Sequence, residues 1–456
     1  MGLNPGGFME DIMEDILSLK ARFIDVCYHK VKSTTISMKD GKASEITSGL
    51  NSGVGIRILN KSWGFAYTND MGKLKDAALK ALKGSEVGNR KISIGEVDTI
   101  QDNVELRANR DFSKVTLDDR LELLKEAEEA ARCAEEVVST SLSYGEAQVE
   151  SLYMNSEAAN IKSKLSRGVL YSQVFVKSDG KLQVGMERLG GTGGFEIFNE
   201  AGVSSRQATE KALRLLNAKA APSGSFIVVL DPHLTGVFIH EALGHAVEAD
   251  HVIQGESIVS DKLGKVIGSE LVTVYDDPTL EGSFGFYFYD NEGVRAEKTI
   301  LLGNGVLKNF IHSRETASAL DSIPTGNARA QGYNHPPVPR MSNTYMKSGD
   351  LSFDEMISDI KSGVYLLGSK GGEVDPARGV FQFSAEEGFI IKNGEIMESV
   401  RDVALSGETL KILKSIDAVD KQFDISGGYC GKAGQVVPVG DGGPSIRTYS
   451  SVGGTA

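Results

Sequence analysis

The sequence predicts an α+β protein: an N-terminal α/β part that carries an internal duplication, followed by a β-rich C-terminal domain organised around one buried helix. Three observations predict it. A helix, a set of β-rich runs and a second amphipathic helix occur in that order twice before residue 222. A small-residue stretch, Ala218 to Ser225 with Pro222, then reads as a linker. Beyond Ser269 the chain is rich in glycine and in short β-prone runs. The corresponding segments are 1–110, 111–222 and 223–456.

The first copy starts with a helix around 8–20, where Ile12, Ile16, Leu17 and Leu19 follow helical spacing. β-rich runs at Thr34–Met38 and Gly55–Leu59 come next, then Trp63-Gly64-Phe65 and a helix from about Lys73 to Lys83. The second copy starts with a helical stretch from Leu117 to Val137, continues through Ala147–Tyr153 and Val169–Val176, and reaches Gly194-Phe195. It closes with a helix from Ser204 to Asn217, for which Ser204 or Ser205 is the expected N-cap. Both copies thus place Gly-Phe before their closing helix.

In the C-terminal domain Phe226–Leu230 reads as a buried strand, and Asp231-Pro232 as a helix start with proline in the first turn. Further strands are expected at Leu271–Tyr275, Phe284–Tyr289, Lys298–Leu302, Val306–Ile311, Gly363–Gly368 and Gly388–Ile391. One late helix is expected at Thr409–Val419. The pattern suggests an antiparallel sheet or barrel around the helix that begins at Pro232.

That helix carries His240-Glu241-Ala242-Leu243-Gly244-His245. Two neutral imidazoles can hold a zinc ion and a carboxylate between them can take a proton from water. The histidines are five apart, not four as in the common H-E-x-x-H pattern. At roughly 100° per residue they would diverge by about 140° on a regular helix. A bulge or unwound turn at Gly244 is therefore expected to absorb the extra residue. Phe238, Ile239, Leu243 and Val247 mark the helix as buried, and four of the seven histidines fall between His233 and His251. Burying several imidazoles and a glutamate with neither a metal nor a tight network would be costly.

A catalytic zinc usually takes three protein ligands. His251, the acidic pair Glu292 and Glu297, and Cys430 in the glycine-rich run Gly427–Gln435 are the candidates for the third. Composition narrows the setting. Of 456 residues 40% are hydrophobic and 24% charged, an ordinary globular balance, and the net charge of −13 argues against nucleic acid or an anionic membrane as partner. No apolar run approaches a membrane span. The acidic start, Met1 to Lys20, lacks the features of a signal peptide, and three scattered cysteines suit a reducing cytoplasm.

The chain resembles the TldD half of the TldD/PmbA family, also called modulators of DNA gyrase. The resemblance begins with His-Glu-Ala-x-Gly-His followed by Glu248 and Asp250. It continues through Asp290–Val294, Gly305–Lys308, His335–Thr344, Gly371–Asp375, Phe383–Ala385 and Cys430-Gly431-Lys432 with Gln435. It covers the C-terminal half closely and the N-terminal half in element order. What it implies is a cytoplasmic zinc metallopeptidase acting on unfolded or short peptides, with one zinc per chain. It implies Cys430 as the third ligand beside His240 and His245. It also implies a dimer, with a TldE/PmbA-type partner that lacks the metal motif or with a second copy. Dipeptidyl-peptidase III also uses a six-residue histidine motif with a downstream glutamate, which Glu292 to Glu297 echoes loosely.

On this reading Glu241 is the general base. His335, Arg340 and Tyr429 are candidates for oxyanion or substrate contacts. Glu248 or Asp250 is a candidate carboxylate partner for a ligand imidazole. A non-catalytic metal-binding partner or regulatory subunit is the competing function, although such a subunit has no reason to keep both histidines, the glutamate and the cysteine. A purely structural zinc would want four protein ligands and no open position.

Overall fold

The computed structural model describes residues 5–88 and 91–454. The first four residues of the acidic start, and the outermost ends of the first and last segments, lie outside the described residues. Helix α1 (Pro5–Leu17) leads into a meander of β1 (Phe23–Lys39), β2 (Lys42–Leu59) and β3 (Trp63–Thr68), closed by α2 (Leu74–Ser85). After β4 (Gln101–Glu105) the order repeats: α3 (Leu117–Ala131), β5 (Val137–Asn155), β6 (Asn160–Ser178), β7 (Lys181–Thr192) and α4 (Ala201–Asn217). The first strands of the two copies pair antiparallel, from Asp25 opposite Asn155 to Lys39 opposite Ser141. Both copies therefore share one seven-stranded sheet, in the order β3-β2-β1-β5-β6-β4 with β7 also on β6.

The repeat rests on packing rather than on the Gly-Phe pairs. Gly64-Phe65 lies within β3, whereas Gly194-Phe195 follows β7, with Phe195 opening a short 3-10 turn. The equivalent glycines are Gly64 and Gly185. A Cβ at Gly64 would stand 1.8 Å from the carbonyl oxygen of Ala81, and one at Gly185 1.8 Å from that of Ala208. In each copy a bare strand position lets the closing helix lie directly on the backbone.

Several expected boundaries move. The strands of 17 to 19 residues extend well beyond the short runs expected, and in β2 ten successive residues from Lys42 are exposed and show no alternation. Helix α3 stops at Ala131, and Val137 already belongs to β5. Ser204 and Ser205 lie buried inside α4 and do not cap it; Ser205 Oγ bonds Ser172 Oγ at 2.7 Å. The expected linker is pinned, since Lys219 and Ala220 pair with Val400 and Arg401.

The rest of the chain forms, among the described residues, a ten-stranded and a six-stranded sheet beside one two-stranded pair. In the larger sheet β8 (Gly224–Leu230) lies between β10 (Ser362–Leu367), parallel, and β13 (Ile446–Gly454), antiparallel. In the smaller, β12 (Gln435–Gly443) lies between β9 (Asn343–Met346), parallel, and β11 (Asp424–Lys432), antiparallel. These two parallel pairings depart from the all-antiparallel expectation, and Phe284–Tyr289 is irregular rather than a strand. The late helix ends at Ser415.

Between the sheets runs α5 (Pro232–Phe238) with its continuation to Val247. Phe238, Ile239, Leu243 and Val247 share one core with Val228 and Leu230 of β8, Met346 of β9 and Phe381 and Phe383. Each such fully buried side chain contributes about 1.5–3 kcal/mol of hydrophobic stabilisation. The histidine-bearing segment is thereby gripped from both sides. Among the described residues no helix is long and apolar enough to cross a membrane.

Candidate metal centre and active-site cleft

Asp231 caps the helix, its Oδ1 accepting the Leu234 N–H at 2.7 Å, and Pro232 occupies the first turn. At Ile239 the helix widens into a π turn that lasts to Gly244, where the His245 N–H donates to the His240 carbonyl. A five-residue hydrogen-bond step stacks positions five apart, as the spacing of the histidines requires. The two rings come to 5.2 Å between centroids, at right angles.

Gly244 contributes space rather than an unusual backbone angle. Its φ is −55°, open to any residue, but a Cβ would stand 1.9 Å from Met341 Sδ. Gly236, two turns earlier, brings the helix onto β12: a Cβ there would stand 2.3 Å from the Gly442 nitrogen. In the adjacent strand β11, Cys430 pairs opposite Val437. The glycine-rich run read as a loop is thus a hairpin, and its stiffness aims the sulfur.

One donor atom from each of His240, His245 and Cys430 lies within 4.8 Å of the others, the only such grouping of three among the described residues. Cys430 Sγ is 3.7 Å from His245 Nε2. Bond lengths of about 2.3 Å to sulfur and about 2.0–2.1 Å to nitrogen in a tetrahedron put these atoms about 3.6 Å apart. The buried Nδ1 of His240 has no hydrogen-bond partner in the chain. Donor chemistry, spacing and the unpartnered nitrogen all fit a zinc ion.

Burial pushes the Cys430 thiol up, but the His240 and His245 rings outweigh it and bring it down to about 5, favouring the thiolate that binds metal. Burial lowers His245, and Glu248 and Cys430 more than reverse this, holding it well above the usual imidazole range.

Glu248 is fully buried and accepts the His245 Nδ1 proton at 3.0 Å. Burial raises its carboxyl, but His245 and Lys432 prevail and bring it to about 2. Lys432 was missed as a functional residue. Its Nζ reaches Glu248 Oε2 at 3.0 Å, Asp250 Oδ1 at 2.7 Å and the Pro339 carbonyl at 3.0 Å. Two residues beyond Cys430 on a strand, it shares the cysteine's face, a spacing legible in the sequence. It clasps the cysteine hairpin to the histidine segment. Asp250 accordingly touches Lys432, not an imidazole.

Glu241 lines a cleft of about 320 Å³ together with His240, its Oε2 3.7 Å from His245 Nε2. Tyr429 lines the same cleft, edge-on to Phe284 at 5.1 Å. Arg340 does not reach it. Fully buried, Arg340 donates to the carbonyls of Cys430 at 2.6 Å and Gln435 at 3.2 Å, so it holds the hairpin instead of facing substrate. His335 lies elsewhere, lining a small cavity with His29 and Tyr333. His251 stands outside the donor set, 3.8 Å from Glu248. Glu292 is taken up by Arg57 at 2.9 Å and the Arg314 N–H at 2.6 Å, and Glu297 is exposed. The glutamate-liganded alternative thereby loses its third donor.

The opposite wall of the cleft comes from the N-terminal half, through Tyr171 of β6, Arg188 of β7 and Lys211 of α4. No local signal marks these residues, since tertiary packing alone brings them to the site.

Family profiles for the PmbA/TldA metallopeptidases match residues 24–85 (domain 1), 110–216 (central domain) and 223–453 (C-terminal domain). The chain belongs to the PmbA/TldD metallopeptidase family. A metalloprotease of Methanothermobacter thermautotrophicus is 47% identical over 98% of this chain and 99% of its own length. The zinc metalloprotease TldD homolog of Saccharolobus solfataricus is 31% identical over 96% of this chain and 97% of its own. TldE from Thermococcus kodakarensis shares the fold, with a TM-score of 0.81 at 18% identity over 98% of this chain and all of that one.

Proposed function

We propose that the chain is a cytoplasmic zinc metallopeptidase that hydrolyses peptide bonds in unfolded or short polypeptides. His240, His245 and Cys430 would hold one zinc per chain, with Glu241 as the general base. The observation that carries this reading is the convergence of the three donor atoms within 4.8 Å beside a carboxylate on a cleft wall. Bound there, zinc would supply Lewis acidity, lowering the pKa of a water at the site toward ~7 and polarising the scissile carbonyl.

The chain's own residues do the rest. Glu241 stands on the helical turn between the two histidines, so its carboxylate takes the proton of the attacking water and returns it to the leaving amine. With zinc bound, Glu248 would hold the remaining His245 proton on Nδ1 and leave the Nε2 lone pair to the metal. Lys432 and Arg340 hold the cysteine hairpin at its distance from the helix. Tyr429, in the cleft, is the candidate hydrogen-bond donor to the developing oxyanion.

A partner subunit of TldE type, or a second copy, would enclose the cleft. The test is zinc analysis of the purified chain alongside cleavage of an unfolded polypeptide. Stoichiometric zinc with chelator-sensitive cleavage is expected, and cleavage that survives complete zinc removal rules the reading out.

A further inference from the structure

The cleft wall facing Glu241 carries two cations, and the chain treats them differently. Lys211 of α4 is held between Glu187 at 2.7 Å and Glu386 at 2.5 Å. Arg188 of β7 makes a single polar contact, Nη2 to His233 Nε2 at 3.5 Å, and no ion pair among the described residues. Its Nη1 lies over Gly428 of the cysteine strand, where a Cβ would stand 3.2 Å away. Asp441, buried on the same cleft, lies beyond ion-pair distance of Arg188. A half-buried guanidinium without a carboxylate keeps its planar fork free for an incoming anion.

His233 indicates how far from the chemistry that anion would sit. It precedes His240 by seven residues on the same helical segment. That is a rise of about 10 Å, or about three residues of extended peptide.

We propose that Arg188 receives a carboxylate of the substrate, selecting peptides with a negative charge about three residues from the scissile bond. The proposal rests on the cleft being the peptide site. Two sources share this chemistry: the free C-terminal carboxylate of the peptide, and an aspartate or glutamate side chain. With the first, cleavage would release short C-terminal fragments of about three residues; with the second, cleavage would be internal. Arginine suits either, since its two parallel N–H groups match a carboxylate.

The experiment measures binding separately from turnover. One labelled, unstructured peptide is prepared as the free acid, as the C-terminal amide, and with its internal glutamate changed to glutamine. Dissociation constants are measured by fluorescence anisotropy for the full-length Glu241→Gln chain, with Arg188 intact and with Arg188→Gln or Arg188→Lys added. Thermal unfolding checks that each variant is folded. Where Arg188 is intact, losing the responsible carboxylate weakens binding by about tenfold or more, as for a charge-assisted hydrogen bond. Arg188→Gln abolishes that difference and Arg188→Lys keeps part of it. The amide or the glutamine peptide, whichever loses affinity, identifies the source. Equal binding of all three peptides with Arg188 intact overturns the proposal, as does no binding at all or a preference that survives Arg188→Gln. Equal binding is also what an internal Arg188–Asp441 pairing would give. Cleavage of the same peptides by the wild-type chain is read alongside. A chain that binds the acid through Arg188 but cleaves nothing defeats the peptidase reading and leaves the carboxylate site standing.

Discussion

Glu241 and Cys430 carry different duties in the proposed site, and single substitutions separate them. Glu241→Gln keeps the size of the side chain and removes its basicity, so zinc content should be unchanged while peptide cleavage falls at least about 10²-fold. A glutamine variant with wild-type turnover would remove Glu241 from the mechanism. Cys430→Ala takes away one of three donors and should strip most of the zinc, whereas His251→Ala, outside the donor set, should leave it in place. Elemental analysis of the two variants decides. Lys432 is the residue whose loss reaches furthest, because its ammonium alone faces both Glu248 and Asp250. Lys432→Met would leave a fully buried carboxylate short of a cation, which typically costs about 3–5 kcal/mol. Urea unfolding should register that loss, while Lys265→Met, at an exposed pair with Asp261, should stay within about 0.5 kcal/mol of wild type.

At the scale of the element, the π turn converts a spacing of five into a shared direction. Its integrity depends on Gly244 leaving room for Met341. Gly244→Ala should destabilise the protein by about 1–3 kcal/mol through overpacking, and should lower zinc retention by prising the two imidazoles apart. In a Met341→Ala background the same alanine should cost much less, giving a favourable coupling in a double-mutant cycle. Additive effects would mean that the glycine serves some other purpose. The hairpin of β11 and β12 is the second essential element. It brings Cys430 and Lys432 to one face, and Arg340 ties down its carbonyls from beneath. Rigid strands and a packed helical turn, rather than loops, hold all three donors.

For the whole molecule, the cleft lies where the N-terminal sheet meets the C-terminal domain, walled by Arg188 and Lys211 on one side and by Glu241 and Tyr429 on the other. On the proposed reading, a cleft of about 320 Å³ would take an extended chain a few residues at a time rather than a folded domain. One protein offered folded and then destabilised, at equal concentration, should be cut in the second form only. Equal cleavage of both would defeat the enclosed-groove model and leave the zinc chemistry untouched.

The sequence by itself determined the local features: the repeated helix, strands and helix of the first half, the cap and proline that start the central helix, and the His-Glu-His spacing that demands a widened turn. Each is a near-neighbour constraint, written in a few consecutive residues. The lengths of β1, β2, β5 and β6 were not legible: ten successive exposed residues of β2 carry no alternation, and in the other three strands the alternation is interrupted by stretches of partly buried residues. Among His251, Glu292 and Cys430 as third donor, residue types alone left the choice open. The separation of Arg340, which supports the hairpin, from Tyr429, which faces the cleft, was equally hidden. Tertiary structure decided these placements, because packing sets Arg188 and His240 on one cleft and strand pairing brings Cys430 beside His240 and His245 from nearly two hundred residues away, a proximity that no local pattern encodes.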